Sequence, residues 1–174
     1  MIQQEYYWDG ENWLSIKKYN DIITYYLNRK IHRKDGPARI YYYSNGKILM
    51  EEYLINGKNH RENGPGFIKY YSNGNTKFEE YFIKGKTHRD DKPAILFYYK
   101  NGNIKKERYC KNERLHRIDG PALNCYYENG LIENKQYWFN GIEFNPENLP
   151  FEMPIDSPEK IFMFKLKYGD INDN

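Results

Sequence analysis

Cysteine, alanine and long apolar runs are scarce in this sequence. Its 174 residues include two cysteines, Cys110 and Cys125, which are too few for a disulfide framework and indicate a reduced protein. A disulfide between neighbouring strands is the alternative. No apolar stretch has the length needed to span a bilayer, and the residues from Met1 to Glu5 lack the features of a signal peptide. These absences predict an intracellular, cytoplasmic protein.

A large excess of one charge is also missing. The 27 basic and 24 acidic residues leave a net charge of +3, too small to indicate nucleic acid or an anionic membrane on charge alone. Lysine, asparagine, isoleucine and tyrosine are abundant, whereas alanine occurs three times. Because the abundant residues have A/T-rich codons, the composition suggests an A/T-rich genome, such as that of a large DNA virus, a protist or an intracellular bacterium. A viral protein of this kind would act in the host cytoplasm.

What the sequence does contain is a repeat of 28 residues. Four histidines follow one another at this interval, and each is followed by an arginine: His32-Arg33, His60-Arg61, His88-Arg89 and His116-Arg117. The same interval separates four prolines and four Asn-Gly pairs, and all three alanines fall in one column of the repeat. Self-similarity at a fixed period of this size indicates stacked copies of one supersecondary unit.

Each unit reads as a β-hairpin followed by a loop. A proline such as Pro37 opens a tyrosine-rich first strand, because a proline at the first residue of a strand removes no ladder hydrogen bond. Asn45-Gly46 then predicts a type I′ turn, since both residues accept a positive φ. A second strand ends at Tyr53, and a longer loop leads to Pro65. Four first strands and five second strands predict about nine strands in an antiparallel meander.

Thirteen of the 19 tyrosines fall in three columns of the repeat. Two columns are adjacent in sequence, so their side chains are expected on opposite faces of the sheet. We expect these ladders to hold a thin sheet together, with hydroxyl groups left in water. A platform for nucleotide bases is the alternative, but platform aromatics usually lie on one face. The columns are 42/70/98/126, 43/71/99/127 and 25/53/81/109/137.

The two ends of the chain depart from the repeat. Residues 1–24 are predicted to form an N-terminal half-repeat cap and a spacer, the latter running from Glu11 to Asn20, and residues 25–144 the repeat domain. Residues 145–174 form a proline-rich segment and a C-terminal cap. Ser157 and Pro158 predict the start of a short helix, with Gly169 after its end, and a strand is the alternative. The helix is expected to cover the last sheet edge.

The repeated segments Tyr-Tyr-x-Asn-Gly, Glu-Glu-Tyr-x-x-Asn-Gly-Lys and His-Arg-x-Asp-Gly-Pro resemble the MORN repeat, in the longer variant form of bacterial antitoxin-like proteins and giant DNA viruses. The resemblance covers about residues 25 to 141. It implies an all-β fold, a single-layer antiparallel sheet of tandem β-hairpin (MORN-like) repeats, here with a short C-terminal capping helix. It also implies a role in scaffolding, partner binding or membrane-associated contact, without shared catalytic residues. In the third unit, Lys92 and Glu113 replace glycines of the pattern.

The row of histidines and arginines is the one candidate binding edge. Equivalent histidines are expected roughly 9.6 Å apart, so they cannot converge on a zinc ion, whose ligands lie about 2 Å from the metal. Catalysis requires unlike groups gathered at one place. We therefore expect no enzyme, no catalytic residue, no metal, no cofactor and no small-molecule substrate. The candidate edge comprises Lys30, His32, Arg33, Lys58, His60, Arg61, Lys86, His88, Arg89, Arg114, His116 and Arg117.

Two functions follow from these patterns. The first is a non-catalytic scaffold that binds a protein partner, or a second copy of itself, through an extended β surface formed by the tyrosine ladders and the C-terminal segment. The alternative is an adaptor that binds anionic phospholipid or nucleic acid through the His-Arg edge. If the row is instead structural, Asp35, Asp91 and Asp119 are expected to pair locally with its arginines or to cap the turn.

Overall fold

A computed structural model describes residues 3–168 as a β-sheet protein with one α-helix. The fold-class prediction is confirmed: consecutive hairpins form one large antiparallel sheet, and a short helix lies at the C-terminus. The strands are β1 Gln3–Trp8, β2 Trp13–Tyr19, β3 Ile22–Leu27, β4 Lys30–Ile31, β5 Arg39–Tyr42, β6 Ile48–Glu52, β7 Leu54–Ile55, β8 Lys58–Asn59, β9 Phe67–Tyr70, β10 Thr76–Glu80, β11 Phe82–Ile83, β12 Lys86–Thr87, β13 Ile95–Tyr98, β14 Ile104–Arg108, β15 Cys110–Lys111, β16 Arg114–Leu115, β17 Leu123–Tyr126, β18 Ile132–Phe139 and β19 Ile142–Phe144. A 3₁₀ helix spans Pro146–Asn148, and helix α1 spans Pro158–Tyr168.

The main sheet has thirteen strands, which is more than the nine expected. Its path is β1-β2-β3-β5-β6-β9-β10-β13-β14-β17-β18-β19, and β4 pairs with β3. The predicted spacer between Glu11 and Asn20 is wrong, because most of it forms β2. Leu14 and Ile16 are buried on one face of this strand while Trp13 is exposed. This alternation has the two-residue period of a strand, although it matches no part of the repeat.

Each complete unit contains four strands rather than two. The first and second strands form a long hairpin, such as β5–β6, and the predicted loop contains a short hairpin of two-residue strands, such as β7–β8. The type I′ geometry lies in the short hairpin, where Asn56 and Gly57 have φ angles of 52° and 81°. In the long hairpin only Gly46 has a positive φ, 79°, and its amide donates to the carbonyl of Tyr43 at 2.9 Å. That turn is a type I turn followed by a bulge, which corrects the prediction.

The short hairpins form a second row beside the main sheet. The amide of Gly57 donates to the carbonyl of Ile31 at 2.8 Å, and the amide of Glu113 donates to that of Thr87 at 2.8 Å. Glu113, which replaces a glycine of the pattern, still has a φ of 70°. These two hydrogen bonds each join one short hairpin to the next along the array.

Helix α1 packs on one face of the last hairpin. The amide of Lys160 donates to the hydroxyl of Ser157 at 3.3 Å, which confirms the predicted helix start. Phe164 is completely buried, and its ring lies 5.0 Å from that of Phe139 and 5.1 Å from that of Phe144. The helix thus covers the face of β18 and β19, not the sheet edge that was expected. The predicted role of Gly169 lies outside the described residues.

Candidate functional site

The candidate edge divides into two kinds of position. Lys30, Lys58, Lys86 and Arg114 lie in the short hairpins and are exposed to solvent. The His-Arg pairs follow in the loops, where the arginines are half-buried and His32 is only 3% exposed. The structure therefore brings together a row of exposed cations and a row of packed arginines, and these two rows have different chemistry.

Each arginine of the row stacks on a tyrosine of its own unit. The guanidinium carbons of Arg33, Arg61, Arg89 and Arg117 lie 4.3, 3.9, 3.7 and 4.0 Å from the ring centroids of Tyr25, Tyr53, Tyr81 and Tyr109. Contacts of this kind are cation–π interactions that contribute about 0.5–2 kcal/mol each. The last three arginines also donate to the carbonyl of the loop proline, for example Arg89 to Pro93 at 3.2 Å. Lys92 therefore does not change how the third loop holds its arginine.

Acidic residues neutralise part of this row. Arg33 donates to Asp35 at 2.8 Å, and Arg117 donates to Asp119 at 2.6 Å, as the structural interpretation predicts. Burial alone would raise the pKa of Asp35, but hydrogen bonds from Arg33 and Tyr7 hold that pKa below its usual range. These guanidinium groups are already bonded within the protein, so binding an external phosphate would require breaking those bonds.

The histidines hold the turns of the short hairpins. Nδ1 of His32 accepts the backbone amide of Asn56 at 3.1 Å, and Nδ1 of His88 accepts that of Asn112 at 3.2 Å. His116 accepts the amide of Asn140 in the same way, at 3.2 Å. His32, His88 and His116 thus each bond to the next unit along the array. Within residues 3–168, no group of three or more histidine, cysteine or acidic side chains is placed to hold a metal ion.

Shallow depressions lie between neighbouring loops. The one between the third and fourth loops has a volume of about 300 Å³. Arg89 and Arg117 contribute to its lining, but so do Asp90, Asp91 and Asp119. This lining carries both signs of charge and does not form the concentrated positive patch that binds phosphate groups.

Hydroxyl groups of the tyrosine ladders form hydrogen bonds within the protein, whereas the sequence predicts that they remain in water. The hydroxyls of Tyr70, Tyr98 and Tyr126 donate to Glu51, Glu79 and Glu107 at 2.8, 2.9 and 2.8 Å. Burial, followed by the hydrogen bond to Glu107, raises the pKa of Tyr126 to about 12, and the pKa values of Tyr70 and Tyr98 are raised for the same reasons. In the adjacent column, Tyr43, Tyr71 and Tyr99 donate to the backbone carbonyls of Tyr70, Tyr98 and Tyr126. These six tyrosines therefore join the units, and they are half-buried.

The most exposed aromatic surface lies in the N-terminal hairpin. Tyr6 and Trp13 are each 67% exposed, and Trp8 is 49% exposed. Trp8 and Trp13 are direct partners across β1 and β2, with ring centroids 5.5 Å apart. The sequence reasoning missed this surface, which we call the tryptophan hairpin. Its signal was two tryptophans on opposite sides of the Asp9-Gly10 turn.

The sequence matches no model of a known protein family, and a search of curated protein sequences also gives no match. Among the described residues, α1 is neither long nor apolar enough to cross a membrane, and no other helix meets that condition. The cysteines are unpaired thiols: Cys110 is buried and Cys125 is half-buried. Burial raises the pKa of Cys110 to about 11, so this thiol is held in its unreactive, protonated form at neutral pH.

Proposed function

We propose that this protein is a non-catalytic repeat scaffold of the MORN-like kind, which binds a protein partner through its extended β surface. One observation carries the proposal: the side chains of the His-Arg row that were candidates for binding stack on tyrosines, accept turn amides and pair with aspartates. The arginines hold each loop to its own unit, and the histidines hold neighbouring units together. The unpaired cysteines support an intracellular, cytoplasmic location.

The tryptophan hairpin is the contact surface that we favour for such a partner. Tryptophan and tyrosine dominate the binding energy of protein interfaces, because they bury a large area at a small cost in conformational entropy. Tyr6, Trp8 and Trp13 expose this kind of surface next to one another on two paired strands. The sequence predicts contacts through the tyrosine ladders and the C-terminal segment. The aromatic side chains of that segment bury α1 against β18 and β19, which leaves less of them for a partner.

The second candidate is an adaptor for anionic phospholipid or nucleic acid. The exposed row of Lys30, Lys58, Lys86 and Arg114 is the observation that favours it. Their neighbours in the loops are neutralised in part by Asp35 and Asp119, which weakens this candidate relative to the scaffold.

Binding measurements separate the two functions. Affinity purification from the native host, with the natural chain and a Trp8→Ser/Trp13→Ser variant, should recover a partner that the variant loses. Binding to phosphoinositide vesicles and to duplex DNA should be weak and should disappear near physiological salt, where the screening length is about 8 Å. Micromolar binding to either ligand at that salt, lost when Lys58 and Lys86 are replaced by glutamate, would establish the adaptor instead.

A further inference from the structure

Strand β18 has β17 on one side, and on its other side only its last three residues are paired with another strand. On one side, β17 pairs with Ile132, Asn134, Lys135 and Gln136, and Glu133 is the extra residue of a bulge between Ile132 and Asn134. On the other side, β19 pairs only with Tyr137, Trp138 and Phe139. Within residues 3–168, no strand lies beside Ile132–Gln136 on that second side. Pro146 explains the gap, because it follows β19 closely, has no amide to donate and begins the 3₁₀ helix.

Comparison with β14, the equivalent strand one unit earlier, shows that a neighbour is missing. Lys106 and Glu107 in β14 are half-buried beside the neighbouring strand β17. The equivalent residues of β18, Asn134 and Lys135, are exposed. Ile132 is 51% exposed, and the preceding Leu131 is 66% exposed. The segment Ile132–Gln136, which we call the open edge, is therefore an exposed strand edge that could pair with one more strand.

The charges of the open edge differ from those of the equivalent strands. Strand β14 carries Lys105 and Glu107, and Glu107 accepts the hydroxyl of Tyr126 from the following strand. In β18 the order is reversed, with Glu133 followed by Lys135. A further strand of the β17 type would bring its tyrosine against a lysine, so the open edge no longer suits a fifth copy of that strand.

We propose that the open edge pairs with the open edge of a second copy of this chain, antiparallel, about a twofold axis through Asn134. In this register Ile132 lies opposite Gln136 of the second copy. Glu133 then lies opposite Lys135 of the second copy, and the symmetry produces the same pair again. Directly opposed side chains of an antiparallel pair are about 4.5–5.5 Å apart at Cβ, and opposite charges there stabilise the pairing.

The alternating charges distinguish this edge from one that only resists association. Charged residues on an edge strand usually prevent edge-to-edge pairing, because a neighbour of random sequence leaves them without a partner. When Glu133-Asn134-Lys135 pairs antiparallel with the same segment of a second copy, each glutamate instead lies opposite a lysine. The main sheet would then continue through both copies, with the tryptophan hairpins at its far ends.

This inference goes beyond the proposed function, because the open edge lies at the opposite end of the sheet from the tryptophan hairpin. Loss of self-association therefore leaves binding at Trp8 and Trp13 untouched, and each proposal can fail without the other. The full chain should have the mass of a dimer by light scattering at about 100 µM, where a contact with a micromolar dissociation constant is saturated. A monomer at that concentration overturns the inference.

Charge reversal tests the register. Lys135→Glu and Glu133→Lys each place like charges opposite one another twice, and each should raise the dimer dissociation constant about tenfold or more. The double variant Glu133→Lys/Lys135→Glu restores opposite charges and should restore the dimer. Lys111→Glu, an equal change of charge at an exposed position of β15, is the control and should have no effect. If Lys135→Glu leaves the dimer unchanged, or the folded double variant stays monomeric, the proposed register is wrong.

A cross-link provides an independent measurement. Asn134 would face Asn134 of the second copy, so Asn134→Cys should form a disulfide between copies under mild oxidation. Because Cys125 is the partner of Asn134 within the chain, the experiment requires Cys125→Ser in the same protein. A covalent dimer is expected. Its absence from a folded variant that is dimeric by light scattering contradicts pairing through Asn134.

Discussion

Gly66 lies against the ring of Phe82, so closely that a Cβ on Gly66 would be 2.9 Å from Cδ2 of the ring. Gly66 occupies the repeat column that elsewhere holds the three alanines, all completely buried. Phe82 occupies the column that holds Leu54 in the first unit and Cys110 in the third. In this unit the larger side chain of Phe82 thus fits because the facing residue, Gly66, has no side chain. The fourth unit, with Ala122 and Trp138 at the end of the array, does not follow this relation.

Gly66→Ala should destabilise the protein by about 1–3 kcal/mol, because the added methyl group overpacks the contact with Phe82. The same substitution in a Phe82→Leu background should cost much less, since Ala and Leu already occur together at Ala38 and Leu54. Urea unfolding of the four proteins of this cycle measures the difference. Equal costs of Gly66→Ala in both backgrounds would show that the ring is not what excludes the methyl group.

Arg61→Ala should lower the free energy of unfolding by about 1–3 kcal/mol, because it removes the stack on Tyr53 and the hydrogen bond to Pro65. Arg61→Lys should recover less than half of this loss, since an ammonium group cannot stack as a plane. Lys58→Ala, at an exposed position of the same candidate edge, should change stability by less than about 0.5 kcal/mol. Similar losses for Arg61→Ala and Lys58→Ala would contradict a structural role for the arginine row.

Two phenylalanines on α1 form a matched pair for testing how the helix is held. Phe164→Ala should cost about 3–5 kcal/mol, because the side chain is completely buried between Phe139 and Phe144. Phe162→Ala, at a side chain that is 60% exposed, should have little effect. Thermal unfolding followed by circular dichroism compares the two. The interpretation of α1 as a packed cap fails if both variants melt at the same temperature.

Stability should fall steeply in alkali. The pKa of Tyr126 is about 12 in the folded protein, against an ordinary value of 10.0, so folding favours its protonated form. The contribution of this group is complete below pH 10 and is lost as the pH rises from 10 towards 12, because only the unfolded chain then ionises. Tyr70 and Tyr98 act in the same direction. Unfolding free energies measured from pH 8 to pH 12, together with tyrosinate absorbance, test this expectation.

Glu107→Gln is the control for this pH dependence. It removes the carboxylate that helps to raise the pKa of Tyr126 while leaving burial in place. The alkaline loss of stability should therefore be smaller in the variant. An unchanged profile would mean that the hydrogen bond to Glu107 has no part in it.

Sequence periodicity was sufficient to predict the sheet, its meander and the terminal helix. Repeats constrain the fold strongly, because one unit must fit against a copy of itself. The same reasoning failed for β2, whose residues pack like a strand but match no unit. It also placed the type I′ geometry at Asn45-Gly46, since both Asn-Gly pairs look alike in sequence. Only the number of residues in each turn separates a two-residue loop from a longer bulged one.

The arginine–tyrosine stacks illustrate what was visible in the sequence but not recognised. Both columns were identified, yet the seven residues between Tyr53 and Arg61 were interpreted as part of a long loop. The turn at Asn56-Gly57 lies midway between them and folds the chain back, which brings the two side chains together. The tryptophan hairpin and the open edge were missed for a different reason. Exposure depends on which strand has no neighbour, and a periodic sequence does not show where pairing stops.

The hydrogen bonds from tyrosine hydroxyls to backbone carbonyls affect which insertions and deletions the repeat array can tolerate. Tyr43, Tyr71 and Tyr99 each reach a carbonyl 27 residues further along, so every link joins adjacent units and none skips one. A duplication or deletion of one whole unit in the coding sequence would give each remaining tyrosine the same neighbour as before. A change of another size between two of these tyrosines would alter which carbonyl each one reaches. Within the repeat array, adding or removing whole units is therefore the change of length that keeps this ladder intact.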